Sequence, residues 1–301
     1  MKLQGPKIVF YVKRPLAEKI SATFDFIKEN WKVLLKYNTY LILPICLVQA
    51  IIANTMMSAI YSSQVLQHLR SDDWLSYGLV FWVSYGLMIL CSLAGSVLFI
   101  SIVYALMKQY SEREERLAGI TFADLKPGLL RGLKRSLLMI LFIGVIILLA
   151  VAIIILLGIV SRYTVFLAVP LLLASMIPLL LFAPVYLFEN THIIRAFIKA
   201  FRLGFATWSG VLVIAIVMGV ISAILSCIAS IPWTVASVVK YIFFLSDTQN
   251  EVTISSGYNF MQYVFAVIMS FGSYLAGIFV IVGNAYQYAH AHAKTANSSM
   301  V

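Results

Sequence analysis

Six stretches of this chain are long and apolar enough to cross a membrane as helices, which restricts the folds that it can adopt. A hydrocarbon core about 30 Å thick needs roughly 20 apolar residues in a helix. No Asp, Glu, Lys or Arg lies near the middle of any of the six. The chain is 62% hydrophobic and 11% charged, whereas soluble domains contain about 25% charged residues. The predicted spans are 39–61, 76–107, 136–160, 163–188, 208–234 and 259–287.

The positions of the basic residues predict the orientation of these spans. Of the 22 Lys and Arg residues, 19 precede the first span, lie between the second and third or the fourth and fifth, or follow the sixth. The three exceptions are Arg70, Arg162 and Lys240. Cytoplasmic segments of membrane proteins are enriched in Lys and Arg. We therefore predict a multi-pass protein of the cytoplasmic (inner) membrane with both termini in the cytoplasm.

A basic amphipathic segment precedes the first, third and fifth spans. Residues 191–205, for example, place Ile194, Phe197 and Phe201 at helical spacing beside a stripe of basic residues. Such a segment typically lies in the headgroup layer with its apolar face in the acyl boundary. The basic residues of the three stripes are Lys28, Lys32 and Lys36; Arg131 and Arg135; and Arg195, Lys199 and Arg202.

The order of these segments predicts an internal repeat. We predict an all-α polytopic membrane protein, in which a single membrane domain (1–301) contains three copies of a basic interfacial helix followed by a transmembrane hairpin. The third copy ends in a short polar tail. The repeats and their interfacial helices are 1–110 with 15–37, 111–189 with 121–135, and 190–301 with 191–205.

The eight basic residues of the stripes have two interpretations. They either only orient the spans, or they also bind the anionic headgroups of membrane lipids on the cytoplasmic face. Because the basic residues lie between apolar runs rather than on a soluble domain, nucleic acid is not an expected partner. The sequence does not indicate a protein partner or an oligomeric state.

The ionisable residues give no sign of catalysis or of a cofactor. Enzymes and ion-coupled carriers usually keep such groups inside the bilayer, whereas Glu189 lies at the end of a span. Its closeness to His192 is interpreted as a polar cluster at a helix end rather than a catalytic pair. Neither the His residues nor the three separate Cys residues have metal-ligand spacing. We predict no catalytic, cofactor-binding or metal-binding residue, and no enzyme activity.

Three amide side chains lie in or near the spans, at Gln49, Asn54 and Asn284. Polar groups inside a membrane need partners within the protein, so interhelical hydrogen bonds are the first interpretation. The alternative is that they line a polar cavity. Prolines can kink helices and open such gaps, and those in or beside the spans are Pro44, Pro170, Pro178, Pro184 and Pro232.

The stretch "FAPVYLFENTHIIRAFIKAFRLGFATWSGVLVIAIVMGVI" (182–221) has a span ending in Glu, a short basic helix, then Arg, Trp and Gly before another span. Together with "ATFDFIKENWKVLLKYNTYLILP" near the N-terminus, it resembles the bacterial six-span inner-membrane family related to the membrane domain of glycerophosphoryl diester phosphodiesterases. Those enzymes carry catalysis on a separate soluble domain, which has no counterpart in these 301 residues. The resemblance implies an architecture and a role in membrane or lipid organisation.

These observations favour a non-enzymatic protein that interacts with lipid or organises the membrane as a scaffold. The alternative is a transporter or channel-like subunit with a cavity between kinked spans, lined by Gln49, Asn54 and Asn284. A lipid-modifying enzyme is the third and least favoured hypothesis.

Overall fold

The computed structural model describes residues 6–61, 78–246 and 255–298. Within these ranges the chain is helical apart from residues 6–15 and short connections, without strands. His68, Arg70, the first two residues of the predicted second span and residues 247–254 of the loop predicted after the fifth span lie outside the described residues. The helices are α1 (Leu16–Leu41), α2 (Leu43–Tyr61), α3 (Gly78–Glu112), α4 (Phe122–Val160), α5 (Arg162–Leu179), α6 (Phe182–Phe188), α7 (Ile193–Ala206), α8 (Trp208–Ser246) and α9 (Ser256–Ser298).

Six helical runs are long and apolar enough to cross a membrane, which confirms the number of spans predicted. Most extend beyond their predicted ends; α8, for example, continues to Ser246 without a break. The runs are Leu16–Ile60, Gly78–Glu112, Phe122–Ile159, Tyr163–Phe188, Trp208–Phe243 and Ser256–Thr295.

Proline sets one of the helix boundaries near the N-terminus. The first helix ends at Leu41 and the next begins at Leu43, so Pro44 lies in the first turn of α2. A proline ring clashes with the carbonyl four residues earlier and has no N–H to donate, but the first turn of a helix tolerates both. The predicted division between residues 37 and 39 therefore lies a few residues later.

The predicted interfacial helix 121–135 and the third span form one helix, α4. Thr121 begins it with a capping box, in which its hydroxyl accepts from the backbone N–H of Asp124 and the Asp124 carboxylate accepts from the Thr121 backbone N–H. Residues 128–160 contain no proline, so each can donate to the carbonyl four residues before it. Nothing in this stretch stops the helix at the membrane boundary.

The fourth predicted span is interrupted after Pro178. Helix α5 contains Pro170 without a break but ends at Leu179, and α6 begins at Phe182. Pro178 cannot donate to the carbonyl of Ala174, and the indole Nε1 of Trp208 donates to that carbonyl instead, at 3.3 Å. The tertiary contact thus satisfies the acceptor that the proline leaves open.

Helix α7 packs against α5 and α6 through small residues. Its buried face contains Ala196, Ala200 and Gly204. Ile194, which belongs to the predicted apolar face, is exposed, as is Ile198, four residues further along. The helix therefore has two apolar faces, one against protein and one left uncovered.

Gly204 makes the close approach of α7 to α5 feasible, because a Cβ at this position would lie 2.5 Å from the Cα of Pro178. We expect Gly204→Ala to lower the free energy of unfolding by about 1–2 kcal/mol through overpacking against backbone. Thermal unfolding of the purified protein in detergent measures this. Gly219→Ala is the matched control, since nothing lies within 4 Å of a Cβ there. Equal melting temperatures for the two variants would contradict the prediction.

The helices belong to two compact units. The first unit comprises Met1–Leu34, Ile100–Val220 and Ile278–Val301, and the second comprises Leu35–Phe99 and Ile221–Gly277. Among the described residues, Lys36 and Lys240 are the only Lys or Arg of the second unit. The units do not correspond to the three predicted repeats, and the repeats and the orientation of the termini stay predictions.

Candidate functional site

In the first unit, the carboxylate of Glu189 holds together the end of α6, helix α7 and helix α9. The Nζ atom of Lys199 lies 2.7 Å from Glu189 Oε2, and the hydroxyl of Tyr288 donates to Oε1 at 2.6 Å. Hydrogen bonds to an ionised group are among the strong ones in proteins. Lys199, predicted to contact lipid, is therefore engaged by protein. His192 stands at the N-cap of α7 and makes no recorded contact with Glu189 among the described residues.

Arg135 is also engaged within the first unit. Its Nη2 atom donates to the backbone carbonyls of Glu189 and Thr191 at 2.9 and 2.8 Å. The guanidinium carbon lies 4.0 Å from the ring centroid of Tyr186, within the range of a cation–π interaction. The Arg135 side chain thus joins the turn between α6 and α7 to helix α4, and it stabilises the fold rather than presenting its charge to lipid.

An aromatic cluster surrounds Glu189, and it was not predicted from the sequence. The ring of Phe188 stacks on that of Tyr288, with centroids 6.1 Å apart, and Phe10 packs against Phe188. Tyr11 packs against Tyr288, and burial raises the pKa of the Tyr11 phenol. In the sequence, the "VFY" segment before α1 shows that aromatic residues are present, but it does not show which residues they contact.

A second buried network joins α1 to α3 and the turn that follows it. Arg116 Nη1 lies 2.6 Å from Glu29 Oε1, and the Tyr110 hydroxyl donates to Glu29 Oε2 at 3.0 Å. The Arg116 side chain is 6% exposed, and its backbone has a φ of +59°. A non-glycine residue seldom adopts this conformation without support from its surroundings. Neither residue stood out in the sequence, because 87 positions separate them.

The remaining six of the eight predicted lipid contacts have exposed side chains, and no ion pair to an acidic residue is formed by any of them in the described part of the chain. On α1 they alternate with exposed aromatic residues, of which Trp31 is 51% exposed. Lys32 Nζ lies 5.7 Å from the Trp31 ring centroid. The six are Lys28, Lys32, Lys36, Arg131, Arg195 and Arg202.

A cavity of about 200 Å³ opens between α3 and α4 in the first unit. Three basic side chains line it, those of Lys108, Arg131 and Arg135, together with Glu112. Helix α4 approaches α3 closely here because Gly132 lies against Ser101, where a Cβ would be 3.2 Å from the Ser101 Cβ. The predominance of positive charge makes the cavity suited to an anion.

The three predicted intramembrane amides lie in different surroundings. Gln49 is buried in the second unit and donates through Nε2 to the Tyr274 hydroxyl at 3.1 Å. Asn54, also in the second unit, accepts from Trp233 Nε1 at 3.0 Å. Asn284 belongs to the first unit, where its Oδ1 atom is buried without a hydrogen-bond partner. Interhelical hydrogen bonds are thus formed by Gln49 and Asn54 within the second unit, and the alternative that the three amides line a polar cavity stays a prediction.

Lys240 is a buried cation of the second unit, 7% exposed. Its Nζ lies 3.2 Å from Gln262 Oε1, 3.3 Å from Asn259 Oδ1 and 3.4 Å from Ser58 Oγ. All three are neutral oxygens. Asn259 and Gln262 are three residues apart on α9, a spacing that places them on one helix face. Their contact with Lys240 was not predicted from the sequence.

These features define the class of the protein: it is all-helical, with six helices compatible with a multi-pass membrane protein. Among the residues described, no group of three or more His, Cys, Asp or Glu could hold a metal ion. Comparison with known protein families, with curated proteins and with solved structures finds no match for the chain.

Proposed function

We propose that this protein is a non-enzymatic, lipid-interacting component of the bacterial cytoplasmic membrane, oriented with both termini inside. It binds anionic lipid through basic residues at the cytoplasmic leaflet and organises the surrounding membrane. The observation that carries the proposal is the set of six exposed basic side chains described above. Lys28, Lys32 and Lys36 form its most regular part.

Their surroundings suit a headgroup layer. On α1, the three lysines repeat every four residues and share the helix with exposed Phe24, Trp31 and Tyr40. The amphipathic rings of Trp and Tyr prefer the membrane–water interface, and basic residues beside them attract anionic headgroups. Lys199 is paired with Glu189, and Arg135 donates to backbone carbonyls. The predicted set of lipid contacts therefore falls from eight residues to six.

Two further observations support the proposal. The basic cavity between α3 and α4 has charges that complement a phosphate group, and Arg131 contributes to both the cavity and the exposed set. In addition, the apolar hairpin of α4 and α5 is widely uncovered, with Leu148, Phe166 and Leu167 at 70–85% exposure. Lipid tails are the natural cover for such a surface in a membrane. The family resemblance described above points to the same role.

The α1 lysines provide the test. Replacing Lys28, Lys32 and Lys36 together by Gln is expected to lower the preference for phosphatidylglycerol over phosphatidylethanolamine at least about fivefold, because each Lys near an anionic surface contributes about 1 kcal/mol. Native mass spectrometry of protein released from nanodiscs with equal amounts of the two lipids measures the preference.

The matched control changes the same three positions to Arg, which keeps the charge. This variant should retain the wild-type lipid preference, and both variants should melt at the wild-type temperature because the side chains are exposed. An unchanged preference in the Gln variant would overturn the proposal. An equal loss in the Arg variant would show that charge is not the cause.

A further inference from the structure

A second cavity, of about 490 Å³, lies in the second unit and is bounded by α2, α3, α8 and α9. No charged side chain lines it. Its walls carry an amide, a phenol, a thiol and a set of Ser hydroxyls, with two Met side chains as the apolar part. The lining residues are Gln49, Met88, Ser92, Ser226, Cys227, Ser230, Met269, Ser270, Ser273 and Tyr274.

Gln49 is the polar anchor of this cavity. It is 4% exposed, and its Nε2 atom donates to Tyr274 and, at 3.5 Å, to Ser92. Gly95 makes this arrangement feasible, since a Cβ there would collide with the Tyr274 hydroxyl. The other amide atom of Gln49, Oε1, accepts no hydrogen bond from the described part of the chain, although the amide is held in place.

The hydroxyls add unused hydrogen-bonding capacity. Ser230 donates to the carbonyl of Cys227 and Ser273 to that of Met269, so the oxygen of each keeps its acceptor capacity. The hydroxyls of Ser226 and Ser270 form no hydrogen bond with residues 6–61, 78–246 or 255–298. Polar groups within membrane spans are costly unless they find partners, and lipid tails cannot supply any. These groups are therefore available to form hydrogen bonds with a polar occupant of the cavity.

We propose that this cavity binds a neutral, hydroxyl-bearing group, such as a free polyol or the glycerol moiety of a neutral lipid. The volume lies within the range of small-molecule sites, about 300–1,000 Å³. The absence of charge from the lining disfavours ions, while hydroxyls that both donate and accept match an alcohol. This site is independent of the proposed anionic-lipid function and uses none of its residues.

Cys227 provides a reporter that the protein already contains. It is an exposed free thiol on the cavity wall, whereas Cys46 is buried. In a Cys46→Ala, Cys91→Ala background, Cys227 becomes the single thiol. Only the thiolate reacts with a methanethiosulfonate, so a sulfonated, membrane-impermeant reagent reports on water at the sulfur. Nanodiscs make both membrane faces accessible.

The matched control is Ile228→Cys in the same background with Cys227→Ala. Ile228 is adjacent on α8 and 59% exposed, but it is not part of the cavity lining. We expect Cys227 to react at least about tenfold faster than the control cysteine, since a thiol in lipid forms little thiolate. Equal or slower reaction of Cys227 would mean that the cavity holds no water and would overturn the proposal.

Protection then identifies the occupant. Glycerol added to the solution, or dioleoylglycerol added to the nanodisc, is expected to slow modification of Cys227 at least about threefold, and the effective probe distinguishes a free polyol from a lipid. Protection should be lost in Gln49→Leu and weakened in the milder Ser270→Ala variant. Failure of both probes to protect would overturn the proposal, as would full protection in both variants. Lipid preference at the α1 lysines should not change in any arm.

Discussion

Replacement of Glu29 by Ala is expected to lower the free energy of unfolding by about 3–5 kcal/mol, because it leaves Arg116 as a buried charge without its carboxylate. The Arg116 side chain is 6% exposed and the Glu29 side chain 24%. Arg116 thus has little access to water that could replace the lost partner. The Tyr110 hydroxyl loses its acceptor at the same time.

Because Arg116 is more deeply buried than Glu29, the loss of stability should depend on which of the two is removed. Arg116→Gly should cost less than Glu29→Ala, because the carboxylate left behind is more accessible to water. Glycine also adopts a φ near +59° without steric cost. The double variant Glu29→Ala, Arg116→Gly should therefore recover at least half of the stability lost in Glu29→Ala.

Thermal and chemical unfolding of the three variants in the same detergent measures these differences. Tyr110→Phe is a useful control, since it removes one hydrogen bond to Glu29 without removing a charge, and should cost about 1 kcal/mol. A double variant as unstable as Glu29→Ala would show that the loss of the ion pair between Glu29 and Arg116 is not the source of the lower stability.

The second large effect is expected at Lys240. Gln262→Leu removes one of three neutral acceptors from the buried ammonium group, and we expect a loss of about 3 kcal/mol, the upper end for a hydrogen bond to a charged group. Gln262 itself is 1% exposed and also donates to Ser237 at 3.2 Å. A Leu side chain at this position offers the ammonium group no acceptor.

Removing the charge of Lys240, by contrast, should change the free energy of unfolding only slightly. Lys240→Met keeps most of the length of the side chain and eliminates the buried cation, whose desolvation is costly. The oxygens that lose their donor are neutral, so leaving them unpaired costs less than leaving the ammonium group unpaired. Lys240→Met should therefore melt within a few degrees of the wild type, and the double variant Lys240→Met, Gln262→Leu should be more stable than Gln262→Leu. If Lys240→Met is the less stable of the two single variants, the ammonium group contributes net stability and the prediction is wrong.

Several features of the fold could be predicted because they depend on local properties of the chain. The six spans follow from the length of apolar runs. The boundary at Pro44 and the interruption after Pro178 agree with the geometry of the proline ring, but neither was predicted at its position, because a proline does not always break a helix: Pro170 and Pro232 lie inside unbroken ones. The continuity of α4 through residues 135 and 136 was also missed, since a change from basic to apolar composition does not by itself stop a helix.

The candidate lipid site could be predicted only in part. Lys28 and Lys199 look alike in the sequence, as each lies in a stripe of basic residues beside an apolar face. The structure distinguishes them, because Lys199 reaches Glu189 while Lys28 has no acidic partner in the described residues. Glu189 is also held by Tyr288, 99 positions away, and no periodicity records a contact over that separation.

The sequence by itself therefore determined the all-helical class and the number of apolar helices, because hydropathy can be read along a single chain. Only the tertiary structure decided which polar side chains meet. The stretch around Arg195 and Lys199 illustrates this difference between sequence and structure. Its helix was predicted, but the packing of its Ala and Gly face against the protein was not. The cavity beside Gln49 likewise forms only where four helices come together, because its lining residues are divided among them.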